Sequence, residues 1–122
     1  MDTNIYIPEY ETETSHEYRS GSRIITRVVG VTFNGRQRVI ARLAIGEEIL
    51  LKREPNNPYD RNAIGVERPN GQQIGYINRH LTAVLAPFFD AHIFPVRGSV
   101  QYLAGSLSYG YSLGVVITFD VP

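Results

Sequence analysis

Residues 54–62 are the stretch that most restricts how this chain can fold. They contain two prolines, three asparagines and an aspartate, which favour turns and interrupt both helices and sheet ladders. The stretch therefore predicts an ordered or solvated loop, and the chain on either side of it must form separate, short elements.

On both sides of this loop, β-branched runs alternate with turn signals, a pattern that predicts strands. Six strands are expected, at residues 23–33, 48–53, 63–67, 72–77, 94–103 and 113–121. Asn70 and Gly71 form a strong hairpin signal between the third and fourth strands. Gly30 inside the first strand predicts a bulge or a close backbone approach.

Two helices are expected among these strands. The apolar residues of 79–92 recur at i, i+3, i+4 and i+7, which predicts an amphipathic helix with Asn78 as its N-cap. These apolar residues are Leu81, Val84, Leu85 and Phe88. Residues 36–44 predict a shorter helix that ends near Gly46. Together the elements predict a mainly β fold of the small α+β type, a closed or nearly closed six-stranded β-barrel with one main helix and one short helix.

The formal net charge of zero hides an asymmetry along the chain. Residues 1–20 carry five acidic residues and one arginine, a net charge of −4, whereas residues 21–122 carry +4. We therefore divide the chain into an acidic N-terminal tail, 1–22, and a domain, 23–122. The tail is compatible with a disordered segment or with an added edge strand. The cationic domain is compatible with a nucleic-acid partner.

Several function classes are disfavoured by what the sequence lacks. Without cysteine there is no disulfide, thiol nucleophile or thiolate metal site. The phosphate-binding loop, the dinucleotide fingerprint and the nucleophile elbow are absent, and the three histidines are not spaced to share a metal. No apolar run approaches the ~18 residues of a membrane span. We expect a cytoplasmic domain that is not an enzyme, needs no cofactor and does not bind a membrane.

Aromatic and cationic side chains cluster in the predicted connections. Modules that bind single-stranded nucleic acid combine stacking rings with cations in this way. The candidate rings are Phe33, Tyr59, Tyr76, Tyr102, Tyr109 and Tyr111, and the candidate cations are Arg36, Arg38, Arg53, Arg61 and Arg79. Phe33 and Tyr76 can alternatively be interpreted as core residues, whereas the neighbours of Tyr59 in its loop can bury little.

Residues 50–66, which read LLKREPNNPYDRNAIGV, resemble the HIRAN domain. The resemblance continues through Gly71, Ile74-Gly75-Tyr76-Ile77 and residues 81–87, and it extends more loosely to residue 119. Its most specific motifs are Arg-Glu-Pro, Asn-Pro-Tyr-Asp and Asn-Ala-Ile. The family occurs in Rad5-type helicases and as stand-alone bacterial and phage proteins, and we expect this chain to be one of the stand-alone members.

The resemblance implies an OB-like β-barrel that binds single-stranded DNA and captures a free 3′ end. The residues to which it assigns contacts are Phe33 and Tyr59 (stacking), Asn57 (a base edge), Asp60 (the terminal 3′-hydroxyl), Arg79 (a phosphate) and Tyr111 or Tyr109 (a further ring). A carboxylate accepts a hydrogen bond from a hydroxyl but repels a phosphate at the same place. A single acceptor can therefore distinguish a strand end from a continuing strand.

The sequence departs from the family pattern at two positions. Thr32 stands where the eukaryotic members have arginine, and Tyr76 stands where they have histidine. We expect Arg36 or Arg38 to replace the missing phosphate contact, and we keep Tyr76 as a DNA-binding candidate. These residues include no helicase motor, so remodelling of DNA would require a helicase or nuclease partner.

Two other functions stay open. The first is a protein–protein interaction or assembly module, because the acidic, tyrosine-containing tail can add a strand to a neighbouring sheet. The same tail could instead compete with DNA for the cationic groove. The second and weakest alternative is a metal-dependent hydrolase that uses Glu54 and Asp60. The simpler interpretation of Asp60 is that it caps its own loop by accepting from backbone N–H groups two residues on.

Overall fold

Seven strands and two helices make up the part of the chain that the computed structural model describes, residues 4–7, 18–105 and 112–122. The strands are β1 (Asn4–Ile7), β2 (Arg23–Arg27), β3 (Glu48–Arg53), β4 (Ile64–Glu67), β5 (Gln73–Tyr76), β6 (Val96–Ala104) and β7 (Gly114–Asp120), and the helices are α1 (Arg36–Ile40) and α2 (Arg79–Asp90). Neither helix of this described part is long and apolar enough to cross a membrane.

Six of the strands pair antiparallel with one another and curl into a partly open barrel, in the order β2-β7-β6-β3-β4-β5. Just beyond β2, Val29 pairs with Tyr76 at the end of β5, through main-chain hydrogen bonds of 2.8 and 2.9 Å. This pair joins the first and last of the six strands. The predicted mainly β, six-stranded barrel with one main and one short helix is therefore confirmed.

Gly75 makes this closure possible. A Cβ atom at position 75 would lie 2.3 Å from the carbonyl oxygen of Val29 and 2.7 Å from Cγ1 of Val28. Both distances are far below van der Waals contact, so any side chain at this position would push Val29 away from Tyr76.

The core of the barrel is covered by the apolar face of α2. Leu81, Leu85 and Phe89 are buried in the same cluster as the inward-facing strand residues. The ring of Phe89 meets that of Phe119 edge to face, with 6.1 Å between centroids and 76° between planes. The predicted apolar stripe is thus rotated at its end, because Phe89 takes the buried position and Phe88 is only half-buried.

Two predicted boundaries are wrong. The strand predicted over 23–33 ends at Arg27, because the chain turns sharply at Gly30, whose φ of 70° is left-handed. Val29 keeps only its single pair with Tyr76, and residues 31–35 form turns that lead into α1. The helix predicted within 36–44 ends at Ile40.

Part of the tail extends the sheet. β1 pairs in parallel with β2, with Asn4 opposite Arg23 and Ile7 opposite Thr26. Residues 4–7 thus adopt the edge-strand alternative and add a seventh strand to the six that were predicted. Along its other side, β1 pairs with no strand of the described residues. Residues 8–17, which hold most of the acidic side chains of the tail, lie outside the described residues.

Candidate functional site

A groove of about 1350 Å³ opens beside the pair that closes the barrel. Its walls are the turn before α1, the 54–62 loop, the end of β5 and the start of α2. Seven predicted binding residues line it: Phe33, Arg36, Asn57, Tyr59, Asp60, Tyr76 and Arg79. The fold therefore brings together, from four separate segments, most of the residues that the sequence singled out.

Arg38 is a predicted DNA-binding residue that does not line the groove. It is exposed on α1. Successive helix residues are about 100° apart, so Arg36 and Arg38 face different directions, and only Arg36 faces the groove. Tyr111 and its alternative, Tyr109, lie outside the described residues.

The 54–62 loop is held by its own side chains. Oδ1 of Asn57 accepts hydrogen bonds from the main-chain N–H groups of Tyr59, at 2.9 Å, and Asp60, at 3.2 Å. Oδ1 of Asp60 accepts one from the N–H of Asn62 at 2.9 Å, which confirms that Asp60 caps its own loop. Asn57 donates one Nδ2 hydrogen to Glu54 and keeps a second that it can donate to a ligand.

Arg53 connects the 54–62 loop to α2 through hydrogen bonds. Its guanidinium donates to the carboxylate of Asp90 at 2.8 and 3.3 Å. It also donates to the main-chain oxygens of Arg61 and Ala63 at 2.9 and 3.0 Å. These contacts use four of the five N–H groups of Arg53 to hold the loop in place, although the sequence had suggested Arg53 as a nucleic-acid contact.

Two aromatic rings stand on the rim of the groove with most of their surface in water. Phe33 is 64% exposed and Tyr59 is 88% exposed. The interpretation of Phe33 as a core residue is therefore wrong. The turn that carries Phe33 is supported by Gln37, whose Nε2 donates to the carbonyl oxygens of Val31 and Leu113 at 2.9 and 3.0 Å. Both rings thus project from a backbone that is fixed by side-chain hydrogen bonds.

Arg36 supports the groove from inside the protein and is only 7% exposed. It donates to the carbonyl oxygen of Gly30 at 2.8 Å and to Oε1 of Gln73 at 2.9 Å. Its Cζ lies 5.3 Å from the centroid of the Tyr76 ring, within the range of a cation–π contact. Arg36 therefore holds Tyr76 and the Gly30 turn together.

Glu54 is the centre of a hydrogen-bond network that the sequence did not reveal. Its Oε1 accepts from the hydroxyl of Tyr76 at 2.9 Å and from Nδ2 of Asn57 at 3.0 Å. Its Oε2 faces Nε2 of Gln73 at 3.5 Å. Within the described residues no cation pairs with Glu54, so neutral donors alone hold this carboxylate.

A β-bulge places Gln73 and Tyr76 on the same side of β5. Gly65 lies opposite Tyr76, and Glu67 lies opposite Gln73, with a register shift between the two pairs. In a regular strand, residues three apart point to opposite faces, and the extra residue of a bulge reverses this relationship. Gly65 leaves space for the network, because a Cβ atom there would lie 2.7 Å from Oε2 of Glu54.

The start of α2 makes one end of the groove positive. Asn78 caps the helix as predicted, with Oδ1 accepting from the N–H of Leu81 at 2.9 Å. Arg79 and His80 follow, are exposed and line the groove. Arg79 forms no ion pair with any described residue. A free guanidinium beside a helix N-terminus attracts anions such as phosphate.

The two carboxylates of the groove have separate partners. Glu54 bonds Tyr76 and Asn57, whereas Asp60 bonds Asn62 through Oδ1 and has Oδ2 at 3.5 Å from Oγ1 of Thr82. Among the described residues, no group of three or more histidine, aspartate or glutamate side chains is placed to hold a metal ion.

A family model of the HIRAN domain matches residues 22–120 of this chain. The chain belongs to the HIRAN domain family. The crystal structure of the HIRAN domain of human HLTF matches with a TM-score of 0.58 and 30% identity, covering 80% of this chain and 74% of that one. A protein of Lactobacillus plantarum matches with a TM-score of 0.63 and 27% identity, covering 78% of this chain and 89% of that one.

Among characterised relatives, the helicase-like transcription factor of Oryctolagus cuniculus is 41% identical over 73 residues. The match covers 60% of this chain but only 7% of that relative. The similarity therefore concerns the HIRAN domain alone.

Proposed function

We propose that this HIRAN domain binds single-stranded DNA and holds its 3′ end in the groove. Phe33 and Tyr59 stack on bases, and Asp60 accepts a hydrogen bond from the terminal 3′-hydroxyl. Arg79 and the N-terminus of α2 bind a phosphate nearby. The domain acts in this way in DNA repair or processing and performs no catalysis of its own.

The proposal rests on one observation: exposed rings, a carboxylate and a cation line the same groove. Tyr59 and Asp60 are adjacent on a loop that Asn57 fixes, and Arg79 lines the same groove. Among the described residues, Oδ2 of Asp60 has only a long contact of 3.5 Å to Thr82. It therefore keeps acceptor capacity for a ligand hydroxyl.

The charges of the groove favour a strand end over a long duplex. Each stacked base contributes about 1–3 kcal/mol without any need for a high net charge. A phosphate placed against Asp60 would be repelled, whereas a hydroxyl can donate to it. The groove thus combines a place where phosphate is disfavoured with a positive end, at Arg79, where phosphate is favoured.

A binding titration with the full chain tests the proposal. Fluorescence anisotropy would compare 5′-labelled oligonucleotides that end in a 3′-hydroxyl or a 3′-phosphate with a blunt duplex, at two salt concentrations. We expect the 3′-hydroxyl strand to bind most tightly and its affinity to fall only gently with salt, because few phosphates are contacted. Equal affinity for the two single-stranded ends would overturn end capture, and absence of binding to all three would overturn DNA binding.

The biological setting that we propose includes a larger enzyme. A groove that holds a DNA end neither moves nor cuts DNA. A helicase partner would supply the first activity and a nuclease partner the second. The similarity to a protein named as helicase-like supports this setting. A pull-down with the full chain, with and without a DNA end in the groove, would test whether such a partner is recruited through the DNA.

A second candidate function, assembly, rests on β1. Within the described residues this strand pairs with β2 alone, and an open strand edge can pair with another chain. Light scattering would compare the mass of the full chain with that of a chain lacking residues 1–20. An unchanged mass would count against assembly through the tail, and a raised DNA affinity of the shortened chain would instead indicate that the tail competes for the groove.

A further inference from the structure

A continuous chain of side-chain hydrogen bonds connects the two walls of the groove. It runs from the carbonyl oxygen of Gly30, in the turn that carries Phe33, to the 54–62 loop. Its members are Arg36, Gln73, Glu54 and Asn57, joined by bonds of 2.9, 3.5 and 3.0 Å. We call these four side chains the cross-groove relay.

Tyr76 provides a second connection between Arg36 and Glu54, beside the longest contact of the relay. The contact between Gln73 and Glu54 is 3.5 Å, at the limit of a hydrogen bond. The Tyr76 ring lies against Arg36, and its hydroxyl donates to Glu54 at 2.9 Å. Arg36 and Glu54 are therefore linked twice, once through Gln73 and once through Tyr76.

The relay requires a carboxylate at position 54. An ionised carboxylate has two acceptor oxygens and no donor, so it can face the tyrosine hydroxyl and two amide groups at once. A glutamine at position 54 would keep one acceptor oxygen, which is neutral and therefore accepts more weakly, and would present an NH₂ group to another donor, either Gln73 or Tyr76 and Asn57. The hydrogen bond from Asn57 is therefore weakened or lost in either orientation. Loss of the charge alone should therefore disturb the relay without changing the shape of the side chain.

We infer that Glu54 is a positioning residue that sets the geometry of Tyr59 and Asp60 and couples this wall of the groove to the Phe33 turn. Its effect passes through Asn57, whose Oδ1 holds the N–H groups of Tyr59 and Asp60. The consequence for DNA rests on the proposed function. The coupling between the two walls does not, and it can be measured without DNA.

The coupling is tested by NMR on the free full chain, through the water-exchange rates of the main-chain amides of Tyr59 and Asp60. Glu54→Gln should raise both rates about fivefold, the effect of losing one hydrogen bond of ordinary strength. Gly65→Ala should do the same, because its Cβ displaces the Glu54 carboxylate. The matched controls are Glu67→Gln, which changes an ion pair with Lys52, and Gly114→Ala, where the nearest atom to a Cβ is 3.5 Å away.

Coupling across the groove is tested from the opposite wall. Arg36→Lys keeps the charge but cannot reach both Gly30 and Gln73, and the double variant Gln73→Met/Tyr76→Phe removes both links to Glu54 if the lysine variant does not fold. Either variant should raise the exchange rates of Tyr59 and Asp60 on the other wall. Unchanged rates at both amides in folded Glu54→Gln and in the folded double variant would overturn the inference.

The DNA readout is the ratio of affinities for 3′-hydroxyl and 3′-phosphate ends. A merely destabilised fold lowers both affinities together, whereas misplacement of Asp60 lowers the ratio. We expect Glu54→Gln and Tyr76→Phe to reduce the ratio severalfold and Tyr102→Phe to leave it unchanged. An intact ratio in Glu54→Gln would overturn the positioning role. If the unsubstituted chain binds no DNA, the proposed function fails while the exchange rates still decide the coupling.

Discussion

Val29 and Tyr76 exchange main-chain hydrogen bonds of 2.8 and 2.9 Å where the barrel closes. The side chain of the same tyrosine donates to Glu54 and lies against the guanidinium of Arg36. The main chain of Tyr76 thus closes the barrel while its side chain organises the groove. Because one residue does both, the groove lies beside the seam of the barrel, which is the Val29–Tyr76 pair.

The seam should open when Gly75 is given a side chain. Gly75→Ala places a Cβ 2.3 Å from the carbonyl oxygen of Val29, and we expect it to lower the free energy of unfolding by about 1–3 kcal/mol, as overpacking commonly does. Urea unfolding followed by circular dichroism measures this change. Gly114→Ala, which meets no atom closer than 3.5 Å, is the control. Equal stability of the two variants would contradict the role given to Gly75.

The exposed rings should matter for binding and not for folding. Tyr59→Ala and Phe33→Ala each remove a stacking surface, and we expect each to weaken single-stranded DNA binding by about 1–3 kcal/mol. Their free energies of unfolding should change by less than about 0.5 kcal/mol, because both side chains are largely in water. Tyr102→Ala is the control, since Tyr102 is also exposed, at 57%, but does not line the groove. A larger loss of DNA affinity in Tyr102→Ala than in Tyr59→Ala would contradict the assignment of the groove as the binding site.

Local sequence patterns predicted the elements of this fold well because each follows from short-range chemistry. The Pro- and Asn-rich stretch became a loop, and the Asn78 cap lies where a helix start was expected. The first strand was predicted to be too long because β-branched residues continue to Thr32, whereas the backbone turns at Gly30. Arg36 and Gln37 hold this turn from six residues further along the chain. They are themselves fixed by long-range bonds to Gln73 and Leu113, which no local pattern shows.

The candidate site likewise contains some residues that the sequence could identify and others that it could not. Tyr59 and Asp60 could be singled out because they occupy a distinctive motif. The support beneath them could not, because Gln73 reaches Glu54 only through a bulge that reverses the strand alternation. Arg36 or Arg38 was expected to replace a missing phosphate contact, yet the burial of Arg36 and its bonds to Gly30 and Gln73 give it a supporting position.

Asp60 should control the choice between strand ends. Asp60→Asn can keep the hydrogen bond to the N–H of Asn62 through its remaining oxygen, so the loop should stay folded. Without the negative charge, a 3′-phosphate is no longer repelled. We expect affinity for the 3′-phosphate strand to rise and affinity for the 3′-hydroxyl strand to fall, as measured by anisotropy. Two affinities that move together would show that Asp60 does not face the strand end.

Arg79 should contribute one phosphate contact, which the salt dependence of binding can count. For single strands, the slope of log K against log salt changes by about 0.7 for each phosphate neutralised. Arg79→Gln should therefore make the slope shallower by about that amount and weaken binding most at low salt. Arg42→Gln is the matched control, because Arg42 is exposed, forms no ion pair with the described residues and does not line the groove. The two variants have the same net charge, so an equal change of slope in both would indicate long-range attraction and exclude a specific contact at the N-terminus of α2.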